Sequence, residues 1–218
     1  MSLNKFSELF VDLDSSNSTN NKIEVLKKYF LSNRPIDNAW TIYLLTGKNN
    51  KRFVSGRYLR DLFSELYDYP QWLIDTCYLK VGDSAEVITL LLKNKNTSQT
   101  KKIHKTSLNE LLSKILPELS KLNEEEKKLR IKKAWETLPA DNHLTFNKIL
   151  TGTFRVGVSV GLVTKSIAKL INIDEEIISH RLMGDFKPSI NAYEFLFNRN
   201  INLEELNSKP FPLSLIHI

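Results

Sequence analysis

The chain has 218 residues, 41% of them hydrophobic and 10% aromatic, which is enough apolar surface for a folded core and excludes a disordered polymer. A single cysteine, Cys77, excludes internal disulfides and a cysteine-rich zinc site, and no apolar run approaches the roughly 18–20 residues of a membrane span. The net charge is +6, and it is unevenly placed: residues 1–90 hold 11 basic and 11 acidic groups, residues 91–218 hold 20 and 14. Such asymmetry points to a polyanionic partner, nucleic acid first and a membrane surface second. Met1 to Leu13 is amphipathic and carries acids, unlike a signal peptide, so the expectation is a cytoplasmic protein.

In chain order nearly every segment reads as helix. Leu3, Phe6, Leu9, Phe10 and Leu13 fall at helical spacing. Ser18 or Thr19 can cap a second helix through Ile23, Leu26 and Phe30, and Pro35 with Asp37 starts a third that Gly47 closes. A short basic loop follows, Lys48, Lys51 and Arg52. Ser55 is positioned to cap a helix through Leu66, Pro70 opens one that ends at Gly82, and Asp83 caps the next, to Leu92. Asn94 to Thr106 is polar and reads as a loop joining two helical lobes, 1–93 and 107–212. Beyond it, Leu108 to Leu122 is amphipathic and divided by Pro117; Glu124 to Leu138 alternates acids and bases as a solvated helix face. Helices from Asp141, from Ser159, over Asp174 to Met183 and over Ile190 to Phe197 complete an all-α array, with no defensible repeat.

Glycine punctuates one stretch above all. Phe146 to Val163 reads FNKILTGTFRVGVSVGLV, and three of the chain's seven glycines fall at 152, 157 and 161. One helix stops at Gly152, a tight segment carries Arg155, and Ser159 opens another helix. Free amides, an arginine and a helix start in one loop make a phosphate cradle. The plainer alternative is a turn in which Gly152 is only a helix cap. Gly152, Gly157 and Ser159 also match three positions of a P-loop, but Val158 stands where its phosphate-binding lysine belongs and no strand precedes the loop. A nucleotide site is therefore excluded, and a polymer phosphate remains.

Catalytic patterns fail. The four histidines, at 104, 143, 180 and 217, lie far apart and have no metal-ligand spacing. Cys77 sits among apolar residues as a core side chain, and Trp40, Trp72 and Trp135 sit in helical stripes as core rather than as base-stacking platforms.

Five segments taken together carry a family resemblance: FSELFVDLDSSNSTNNKIEVLKKYF, DNAWTIYLLTGKNNKR, QWLIDTCYLKVGDSAEVITLLL, FNKILTGTFRVGVS and SHRLMGDFKPS. In these the chain resembles the N-terminal DNA-binding domain of ATP-dependent DNA ligases of the bacterial and archaeal-like branch. The resemblance implies an all-helical domain, acting as a monomer, that holds nicked duplex DNA through backbone phosphates to support nick sealing in replication, repair and recombination. It implies that Gly152, Thr153 and Gly157 let backbone approach phosphate, that Arg155 supplies a charge-assisted contact and that Ser159 presents a helix N-terminus. By the same correspondence Lys48, Lys51 and Arg52 form a second basic loop, and Lys148 and Lys165 add charge. Such contacts position a protein without reading sequence.

The family's catalytic lysine lies in a K-x-D-G motif, and no Asp-Gly dipeptide occurs here. The expectation is a chain truncated before the nucleotidyltransferase domain, inactive alone and without a cofactor of its own, ATP and magnesium belonging to the full-length ligase. Lys209 to Pro212 resemble the family's approach to the catalytic domain. Leu213 to Ile218, LSLIHI, match a reading frame of a transposon end and are expected to be a non-native tail. The alternative function is a helical protein-interaction scaffold with a basic face.

Overall fold

The computed structural model describes residues 2–48, 51–95, 106–154 and 156–200. Among these the chain forms twelve helices and no strand. They are α1 (Ser2–Asp14), α2 (Thr19–Ser32), α3 (Pro35–Leu45), α4 (Gly56–Tyr67), α5 (Gln71–Val81) and α6 (Ser84–Asn94), then α7 (108–119), α8 (Glu124–Thr137), α9 (Ala140–Thr151), α10 (Val160–Ile171), α11 (Glu175–Met183) and α12 (Ile190–Leu196). The all-α expectation holds. None of these helices is long and apolar enough to cross a membrane.

Local chemistry explains most of the starts. Side chains of Ser18, Ser55, Asp83 and Ser159 accept the amide three residues on, each satisfying one of the orphan donors of a helix N-terminus. Asn123 and Glu126 add a reciprocal capping box at α8. Asp174 stands at the N-cap position of α11, but its side chain accepts no capping bond. Pro35 occupies the first turn of α3, where a missing N–H costs nothing. In α7 the sequence divides the helix at Pro117, and a division occurs one turn earlier. Residues Leu111–Ile115 widen into a π turn in which the Leu116 amide donates to Leu111 O. Proline at 117 can offer no amide to the carbonyl of Ser113 and its ring would press on it; the wider turn takes up that misfit.

Two compact units form: Met1–Val11 with Asn49–Arg155, and Asp12–Lys48 with Val156–Ile218. In the first, α6 is central and packs against α4, α5 and α9. Its core includes Leu59, Leu62, Phe63, Val87, Ile88, Ile149 and the fully buried Trp135. The Trp135 indole N–H donates to Asn147 Oδ1 at 2.9 Å, and Asn147 in turn reaches Thr89 Oγ1 at 3.2 Å, so the buried polar groups of three helices satisfy one another. In the second unit α10 packs on α2, α3 and α11, and α12 on α3 and α11, around Ile23, Leu26, Ile42, Val163, Ile167 and Leu196.

Neither unit is continuous in sequence. The lobes expected at 1–93 and 107–212 run consecutively, whereas α6 and α9, on opposite sides of the 94–106 stretch, share one unit. The reason is that α6 buries Val87, Ile88 and Leu92, and the apolar face of α9 fills that surface. Most of the 94–106 loop, and residues 201–218 with Lys209 to Pro212 and the LSLIHI tail, lie outside the described residues. Three core expectations need correcting. Trp72 is 68% exposed, and Trp40 and Cys77 are half-buried; α5 turns Ile74 inward and leaves Trp72 and Leu79 facing outward.

Candidate nucleic-acid interface

The glycine stretch is shared between the units: 152–154 are assigned to the first, 156–159 to the second. Arg155, between them, lies outside the described residues.

In the first unit, Gly152 ends α9 in the left-handed region at φ 65°, which glycine adopts without steric cost. Its amide donates to Ile149 O and that of Thr153 to Lys148 O at 3.1 Å. The amides that a phosphate cradle would need are therefore spent on the helix's own last carbonyls. What Gly152 lets near is another stretch of chain. A Cβ at Gly152 would stand 3.3 Å from Lys51 O and 3.4 Å from Arg52 Cα, and the amides of Phe53 and Val54 donate to Leu150 O at 3.0 and 3.1 Å. The basic loop is thus docked on the C-terminal end of α9, where two cations complement the negative end of the helix dipole. Lys51 and Arg52 are both exposed; Lys51 Nζ lies 5.3 Å from the Phe53 ring centroid, and no carboxylate lies within ion-pair distance of Arg52 among the described residues. Phe154 anchors the departing chain against Phe6 and Phe10, with ring centroids 5.3 and 5.1 Å away. Thr153 shares a 2.8 Å hydroxyl hydrogen bond with Thr151.

In the second unit the chemistry has the opposite sign. Val156 is buried, and Gly157 again takes a positive φ, 60°. Ser159 caps α10 by accepting the Leu162 amide at 3.2 Å. The first turn of α10 holds no acid, and Ser159, Val160 and Gly161 are exposed. A helix N-terminus with uncompensated amides on the surface attracts anions. Lys22, on the first turns of α2, donates from Nζ to Gly157 O at 3.0 Å. Sequence reading passes over this residue, since nothing local links two positions 135 apart.

The remaining candidate cations among the described residues are engaged within the fold. Lys148 pairs with Asp83 at 2.8 Å and its side chain is only 12% exposed. Asp83 also caps α6, so the pair ties α9 to the start of α6. Lys165 faces Glu175 at 3.8 Å on a half-exposed surface. Lys48 donates to Leu182 O at 2.8 Å and to Gly184 O, closing the C-terminal end of α11. Burial holds its ammonium below the usual lysine range, with Asp185 opposing that shift. Among the described residues no three histidine, cysteine or acidic side chains gather as metal ligands.

Residues 2–168 match the family model described as DNA ligase N terminus, more than three quarters of the chain. The chain belongs to the DNA ligase N-terminus family. The match takes in all the described helices of the first unit and, in the second, α2, α3 and most of α10; the segment SHRLMGDFKPS, residues 179–189, lies beyond it. A comparison with curated proteins finds no match. In this ligase domain the sequence-derived candidates therefore fall into two groups. Lys51, Arg52, Gly157 and Ser159 present charge or amides at the surface of their own unit. Gly152, Thr153, Lys148, Lys165 and Lys48 bond within the fold, and Arg155 lies outside the described residues.

Proposed function

We propose that this domain binds duplex DNA without sequence preference, through backbone phosphates, as the DNA-holding part of an ATP-dependent ligase. The single observation that carries the reading is the family match over residues 2–168. It is supported by the exposed Lys51–Arg52 loop in one unit and the acid-free start of α10 in the other. Phosphate contacts suit a nick-sealing enzyme, which must accept every sequence and gains nothing from base readout. On this reading the domain acts as a monomer in the cytoplasm and binds nicked duplex, in replication, repair and recombination. ATP and magnesium serve the full-length enzyme. Arg155 adds a further phosphate contact.

Titration of a labelled nicked duplex at several salt concentrations tests this. Binding should weaken linearly in log–log coordinates, by about 0.9 in slope for each phosphate neutralised. Arg155→Ala should weaken unrelated sequences alike and flatten the slope by about one unit. Salt-insensitive binding, or none in low salt, would overturn the reading. A base preference lost in the arginine variant would overturn the phosphate assignment.

A further inference from the structure

Resting on that DNA-binding reading, we infer that Lys22 carries one of the backbone-phosphate contacts, its ammonium held ready by the Gly157 carbonyl. A lysine ammonium has three N–H donors and no acceptor. One donor goes to Gly157 O at 3.0 Å, and among the described residues no carboxylate lies within ion-pair distance of Lys22. Two donors and the full charge are left for a partner. The stem rises from a helix that cannot shift easily: α2 is capped by Ser18, buries Ile23 and Leu26, and packs along α10. No acid occupies the first turn of α2 or of α10.

Gly157 completes the arrangement. A Cβ there would come within 3.2 Å of Lys22 Nζ, and the φ of 60° is one that L side chains rarely adopt. The glycine therefore turns its carbonyl toward the lysine and leaves room for the ammonium. A free surface lysine loses much rotamer freedom when it binds a phosphate; one already held by a carbonyl loses less. That separates Lys22 from Lys28, an exposed lysine of the same helix.

The test uses the full chain and a labelled nicked duplex over a salt series, with thermal unfolding checking that each variant is folded. Lys22→Gln should flatten the log–log slope by about 0.9, the share of one phosphate, while Lys22→Arg keeps the wild-type slope. Lys28→Gln removes the same charge and should change the slope much less. An unchanged slope in Lys22→Gln, or an equal change in Lys28→Gln, overturns the inference while the DNA-binding reading stands. Failure of the wild-type chain to bind in low salt removes the DNA-binding reading itself.

Discussion

The two halves of the glycine stretch look alike in sequence and do opposite things. Around Gly152 the chain is leaving a helix, so its amides turn back onto the last carbonyls and the surface is completed by cations from Lys51 and Arg52. Around Gly157 the chain is about to enter a helix, and the amides of α10 face outward with only Ser159 as a cap. Both glycines have positive φ. The first is needed because backbone approaches backbone, the second because a lysine approaches a carbonyl. A glycine thus says that something comes close, and the direction of the adjoining helix decides whether an anion is welcome.

The sharpest way to break this contrast is Gly152→Val. A β-branched residue in the left-handed region, pressed against Lys51 O, should cost about 2 kcal/mol or more in a denaturant titration. A neutral result would mean that the basic loop is not docked on α9. The double change Lys51→Gln with Arg52→Gln should cost only about 0.5–1 kcal/mol of stability, the loss of two exposed cations at a helix C-terminus. The salt slope of DNA binding should fall by about 1.8. Lys148→Met should do the reverse. Loss of its largely buried pair with Asp83 is expected to cost about 1–2 kcal/mol, between the values for exposed and buried pairs. Its salt slope should not change. Smallest is Ser159→Asp, which keeps a good cap and so should hold stability within about 0.5 kcal/mol. Its carboxylate would sit where a phosphate is expected, so DNA affinity should drop severalfold. An unchanged affinity would remove the start of α10 from the interface.

Features legible in the sequence are those whose physics spans a few residues. The caps at Ser18, Ser55, Asp83 and Ser159 bond to amides three positions on, and the apolar spacing of α1, α2 and α4 shows their inner faces directly. Of the basic loop read at Lys48, Lys51 and Arg52, the last two are exposed between two helices, whereas Lys48 bonds to the end of α11. The exposure of Trp72 is not legible in this way: a stripe at helical spacing shows that a helix has an apolar side, whereas burial depends on whether a neighbour covers it. Cys77 is half-buried for the same reason.

By itself, then, the sequence determined the helices, most of their ends, the family and the stretch where charge and glycine gather. Tertiary structure alone decided which cations are spent. Lys148 meets Asp83 across 65 positions and Lys48 meets Leu182 across 134, whereas Lys22 meets the Gly157 carbonyl across 135 and keeps two donors. It also decided that the chain builds two units by interleaving rather than in succession. Apolar faces pair with whichever surface fits them, and no local pattern encodes a partner that far along the chain.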